Sequence, residues 1–169
     1  MNAAERRRRI LEYLRSSDGP LAAAALAQKL SVSRQIIVGD VALLRAGGEE
    51  VTATPRGYVL DGPRPGIVRT VACVHSGADM ERELTLVVDQ GCTVENVIVE
   101  HPVYGQITGP LELSSRYDVS EFIRKVEECG AQPLSALTDG VHLHTLRCPD
   151  EGGFERARAA LDQAGFLVK

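Results

Sequence analysis

The chain has 169 residues, of which 44% are apolar and 25% charged, with a formal net charge of −4. Those values suit a globular protein of one large domain or two small ones, and no stretch is long enough and apolar enough to span a bilayer. The first fourteen residues carry basic side chains but no long apolar run behind them, which excludes a secretory signal and leads to the expectation of a cytoplasmic protein.

In chain order, a first helix is expected from Ala3 to Ser16, with Ile10, Leu11 and Leu14 on one face. Ser17-Asp18-Gly19-Pro20 ends it. An Ala-rich second helix is expected from Leu21 to Leu30, then a tight turn at Ser31-Val32-Ser33. Ser33 is a good N-cap for a third helix, Arg34 to Ala46, where Ile37, Val41 and Leu44 follow i, i+4, i+7. Gly47-Gly48 stops that helix. Glu50 to Leu60 reads as two short strands with a turn around Pro55-Arg56-Gly57.

Two prolines and two glycines in Asp61-Gly62-Pro63-Arg64-Pro65-Gly66 place a domain boundary there, giving domains 1–62 and 63–169. Beyond it, strands are expected at Ile67–Val74, Val94–Val99, Ile107–Leu113, Val141–Leu146 and Phe166–Val168. Helices are expected at Asp79–Gln90, Val119–Cys129 and Phe154–Ala164, the second with Phe122, Ile123 and Val126 as its apolar stripe. The order predicts an α+β protein whose second domain is a two-layer α/β sandwich, helices on one face of a mainly antiparallel sheet. Cys73, Cys92, Cys129 and Cys148 form no CxxC pair, so reduced, mostly buried thiols are expected rather than a zinc ribbon or a disulfide scaffold.

Charge divides at the same boundary. Residues 1–62 carry nine Lys and Arg against seven Asp and Glu, whereas residues 63–169 carry ten against sixteen. Only the first segment is suited to approach phosphates. Its three helices and hairpin have the order of a winged helix-turn-helix, in which the leading end of the third helix enters the major groove. Here that end presents Ser33, Arg34 and Gln35. Arg can pair with guanine and Gln with adenine, and a Ser N-cap turns backbone N–H groups toward phosphate. Val38 is a candidate for a thymine-methyl contact, Arg45 for phosphate, and Arg56 for the hairpin wing. Arg6 to Arg9 point around most of the helix circumference and read as a solvated helix start, with one or two near phosphate at best.

All four histidines follow the boundary. His142-Leu143-His144 lies in an expected strand, so both imidazoles project from one face as a bidentate pair. His75 closes the first strand and Glu83 lies in the next helix. Imidazoles with a carboxylate suit a divalent transition metal. Unrelated core or surface histidines are the competing reading. His101 and Tyr104, in the turn His101-Pro102-Val103-Tyr104-Gly105, are candidates for lining a ligand pocket, and the same residues also read as a structural turn with Tyr104 covering the core. Arg116 is a candidate to take a ligand carboxylate.

The run Leu26-Ala27-Gln28-Lys29-Leu30-Ser31-Val32-Ser33-Arg34-Gln35, continued by Asp40-Val41-Ala42-Leu43-Leu44-Arg45, resembles the HTH-11/DeoR-like winged helix-turn-helix family. The second half, with its His-Pro-Val-Tyr-Gly turn and Gly140-Val141-His142-Leu143-His144-Thr145, resembles the 3H domain. Together they resemble the niacin-responsive repressor family, NiaR, over almost the full chain. That resemblance implies repression of NAD-biosynthesis or niacin-uptake genes with nicotinic acid as co-repressor. It also implies nickel or zinc at the positions matching His75, Glu83, His142 and His144. A homodimer on a palindromic double-stranded operator is the expected partner arrangement. A metal sensor without niacin, and a metalloenzyme carrying a DNA-binding head, are the alternatives.

Overall fold

The computed structural model describes all 169 residues, and the chain divides into two compact units, Met1–Pro63 and Arg64–Lys169. Residues 61–66 between the last strand of the first unit and the first strand of the second carry neither helix nor strand.

The first unit contains α1 (Ala3–Arg15), α2 (Ala23–Leu30), α3 (Arg34–Ala46), β1 (Val51–Thr54) and β2 (Gly57–Leu60). Each helix sends one stripe into a shared core: Ile10, Leu11 and Leu14 from α1, Leu26 and Leu30 from α2, Ile37, Val41 and Leu44 from α3. Asn2 caps α1 and Ser33 caps α3, each side-chain oxygen accepting from the backbone N–H three residues on. Ser31, left-handed at φ 55°, turns the chain between α2 and α3.

Two expectations are corrected in this unit. Leu21 does not start α2; its N–H and C=O pair with Tyr58 at 2.9 Å each, adding a bridge to the hairpin. Gly57 makes that approach possible, because a Cβ there would stand 2.3 Å from Leu21 O. Nor is the whole run Arg6 to Arg9 a solvated start. Arg6 grips the buried Asp40 of α3 through Nε and Nη2 at 2.5 and 3.2 Å, and Arg7 adds a third contact at 3.4 Å. A buried carboxylate needs such partners, and they come from residues more than thirty positions away. Arg8 and Arg9 remain exposed, in i, i+4 pairs with Glu12 and Glu5.

The second unit is a four-stranded, wholly antiparallel sheet of order β3-β6-β4-β5: β3 (Ile67–Val74), β4 (Thr93–His101), β5 (Gly105–Leu113) and β6 (Val141–Cys148). Helices α4 (Met80–Val88), α5 (Arg116–Glu128) and α6 (Glu151–Gln163) cover one face. Leu84 and Val87 of α4, Val119 of α5, and Phe154, Ala157 and Leu161 of α6 pack on Val71, Val94, Leu113 and Leu146 of the sheet. The other face exposes Val68, Val74, Val141 and Leu143, so the unit has two layers. In α5, Phe122, Ile123 and Val126 are only half-buried, and Val119 is the fully buried contact. A short 3-10 turn at Leu134–Thr138, unforeseen from periodicity, leads into β6.

The last expected strand shrinks to a single bridge, Leu167 to Cys73, which seals the outer edge of β3. The expectation of reduced thiols is also corrected, because Cys92 and Cys148 form a disulfide. Register explains it: Thr93 pairs with Arg147, so the residues flanking them meet across β4 and β6. Cys73 is a buried free thiol and Cys129 an exposed one.

Candidate metal centre and nucleic-acid interface

Strand alternation and register assemble the histidine cluster. β6 turns His142, His144, Leu146 and Cys148 toward the helices, following its alternating burial. Glu83, 1% exposed, descends on them from α4. His75, just past the end of β3, reaches the same carboxylate. His75 Nε2 lies 2.7 Å from Glu83 Oε2, His142 Nε2 3.0 Å from Oε1, and His144 Nε2 3.3 Å from Oε2.

The outward nitrogens are all occupied. His75 Nδ1 stands 2.8 Å from Ser76 O, His142 Nδ1 2.8 Å from Gly140 O, and His144 Nδ1 2.7 Å from Asn96 O. A carbonyl only accepts, so each Nδ1 carries a proton and donates it. The neutral ring then has a bare lone pair at Nε2, and all three lone pairs face an anion. Such a buried arrangement is favourable only with protons or a cation between the groups. His75 Nε2 makes the point directly: although close to Glu83, it is buried and makes no hydrogen bond. Three Nε2 atoms fixed by carbonyls behind them, converging on one carboxylate, fit a divalent transition metal.

Two backbone features aim the rings. Gly140, at φ +91°, passes so close to His75 that a Cβ would lie 2.4 Å from its carbonyl oxygen. A β-bulge between Val94 and Asn96 sets the register that brings Asn96 O to His144. In sequence, Gly140 stands only as the first residue of the Gly140 to Thr145 run, with Asp139-Gly140 as its turn signal, and Asn96 carries no signal.

Burial opposes charge on Glu83; when protons stand at the facing nitrogens of His142, His144 and His75, their hydrogen bonds outweigh it and hold the carboxyl well below its usual range. Burial likewise opposes charge on His75; Glu83 and the Ser76 carbonyl overcome it and raise the imidazole above its ordinary value. For the Cys73 thiol, burial and then the Glu83 charge act together and push it up.

The other sensor candidates sit differently. His101 Nδ1 accepts from the backbone N–H of Val103 and Tyr104, closing the β4–β5 turn. Tyr104 rests beside the His101 ring, centroids 5.1 Å apart, and is 77% exposed, so it does not cover the core. Arg116 is bound bidentately by Asp89 at 2.6 Å, on the surface between α4 and α5. Its charge is committed there, not standing open to a ligand.

In the first unit, α3 presents Arg34, Gln35 and Arg45 to solvent, with Ser33 exposed at the cap. Val38 is half-buried. Ile36, 41% exposed, and Leu43, 58% exposed, are the large apolar side chains on the outer surface of the helix. Neither belongs to the polar recognition end, yet the inward stripe Ile37, Val41, Leu44 already leaves Ile36 and Leu43 on the other side. Arg56 sits half-buried in the turn of the wing. No helix of the chain is long and apolar enough to cross a membrane.

Comparison with known proteins agrees with this layout. Residues 6–59 match an HTH domain and residues 68–169 a 3H domain. The chain is 45% identical over 170 residues to the "Transcription repressor NadR" of Bacillus subtilis (strain 168), covering 98% of this chain and 94% of that protein. It is 46% identical over 165 residues to the "Probable transcription repressor NiaR" of Thermotoga maritima, with the same two coverages, 98% and 94%. With a helix-turn-helix unit followed by a 3H domain, and this likeness over nearly its full length, the chain belongs to the NiaR-like family of transcription repressors.

Proposed function

We propose that this protein is a ligand-responsive transcription repressor of NAD-biosynthesis or niacin-uptake genes. Nicotinic acid is its co-repressor, and His75, Glu83, His142 and His144 hold a nickel or zinc ion. The observation that carries the sensor half is the donor set: three Nε2 lone pairs and one carboxylate, with every Nδ1 already donating to a carbonyl. The ion supplies a fixed positive charge that a pyridine carboxylate can meet. His101 and Tyr104 then line the approach, and Arg116 joins only if Asp89 releases it.

The exposed leading end of α3 supports the DNA half. Ser33, Arg34 and Gln35 face the groove, Val38 approaches it from the helix flank, and Arg45 and Arg56 reach the backbone. Two copies on a palindromic operator place their recognition helices about 34 Å apart, one turn of duplex. Relatives named as NadR and NiaR repressors favour an effector in NAD metabolism. Because they are repressors, the reading of the chain as a metalloenzyme is set aside.

Anisotropy titration on a palindromic operator tests the proposal, with and without nicotinate, on metal-loaded and chelated protein. Nicotinate is expected to tighten binding only when metal is present, at two chains per operator. The deep burial of His75, His142, His144 and Glu83 side chains, 1–4% exposed, favours one second reading, a metal-only switch with no effector. Binding that needs metal but ignores nicotinate would establish that instead.

A further inference from the structure

A fifth group stands beside these donors. Cys73 is fully buried. Its Sγ, a Glu83 carboxylate oxygen and a His142 ring nitrogen all lie within 4.8 Å of one another. Register explains the meeting: Cys73 pairs with His142 and Val71 with His144, so Cys73 lies on the helix-covered face directly across from a proposed ligand. His75 follows two residues later and reaches Glu83 from the same side. The cluster is thus built from Cys73 and His75 at one end of β3, His142 and His144 on β6, and Glu83 above them.

The geometry points to Cys73 as a direct ligand of the cation, adding a soft sulfur donor to three imidazoles and a carboxylate. This inference rests on the metal reading above. On binding, the thiol releases its proton to solvent and the freed sulfur lone pair forms the bond to the ion; no electron transfer is involved. A buried cysteine kept for packing alone behaves as a small apolar side chain among apolar neighbours. Cys73 packs at the edge of the apolar core but also faces a carboxylate and an imidazole, and the orphaned His75 Nε2 lies 2.7 Å from that same carboxylate. Sulfur ligation shifts preference toward thiophilic zinc and nickel and away from manganese and magnesium.

Cobalt(II) reads this directly. The chelated full-length chain, carrying Cys129→Ser to remove the exposed thiol, is titrated with Co2+ and followed by absorption. Visible ligand-field bands are expected, together with an intense near-ultraviolet sulfur-to-cobalt charge-transfer band. Adding Cys73→Ser should abolish the charge-transfer band, keep the visible bands, and weaken Co2+ binding by about tenfold or more. Visible bands without charge transfer in the Cys73-containing protein overturn the sulfur ligand and leave the four-residue site intact. Absence of any bound cobalt overturns both. The Cys73-containing spectrum decides the matter even if the second substitution unfolds the chain.

Discussion

Gly140 shows how one backbone position can set two proposed ligands. Its carbonyl accepts from His142 Nδ1, and its Cα leaves no room for a side chain against the His75 carbonyl. Gly140→Ala must push the β6 entry away from His75 and also strain a backbone at φ +91°. Metal affinity should fall by roughly ten- to hundredfold, the range for disturbing groups that orient ligands. Competition against a chelator of known affinity measures it, and an unchanged affinity would show that the rings are held by other contacts. Protons compete for the same lone pairs. Because the metal-free His75 is raised above the ordinary imidazole value, proton competition begins above about pH 6.5. The direction follows: as pH falls, His75 Nε2 is protonated and apparent metal affinity drops. Repeating the chelator competition across pH 5 to 8 checks this, and a flat profile would remove His75 from the ligand set.

Within elements, α3 divides its work by depth. Ile37, Val41 and Leu44 are buried, Asp40 is tied to Arg6 of α1, and Arg34, Gln35, Ile36 and Leu43 face outward. Arg34→Ala and Gln35→Ala should each cost about 1–3 kcal/mol on the cognate operator and relax preference at one base pair. Arg45→Ala should weaken all duplexes alike and lower the slope of log affinity against log salt by about one. Anisotropy on matched and mismatched operators at several salt concentrations separates the two behaviours; a base-specific loss for Arg45→Ala would reverse its assignment. The same helix shows what a sequence makes legible. Its ends and inner face follow from a local period and a Ser cap. Its bond to Arg6 does not: spacing sets Asp40 beside the inner stripe, three residues after Ile37, but nothing local names the partner that α1 supplies. In β6 the paired direction of His142 and His144 is likewise local, a consequence of alternation. The placing of Cys73 opposite His142, the union of Cys92 with Cys148, and the closeness of Gly140 to His75 all depend on register between distant strands, for which the chain carries no short-range signal.

For the whole molecule, the boundary at 61–66 separates a unit with nine basic against seven acidic residues from one with ten against sixteen. Phosphate attraction, and with it the salt dependence of DNA binding, therefore belongs to the first unit, while the proposed ion site lies in the second. A repressor that responds to its effector must couple the two, and coupling free energy is reciprocal. If nicotinate with metal tightens operator binding by some factor, the operator must tighten nicotinate binding by the same factor. Typical allosteric couplings are about 1–3 kcal/mol, or roughly five- to 150-fold. Isothermal titration of nicotinate into the metal-loaded protein, alone and saturated with operator, measures one side of this cycle; anisotropy measures the other. Equal factors are the expected result. A tightening by nicotinate that the operator does not return would mean the two experiments probe different species, such as monomer and dimer. Unit factors on both sides would leave a DNA-binding unit and a metal-binding unit joined in one chain without regulation between them.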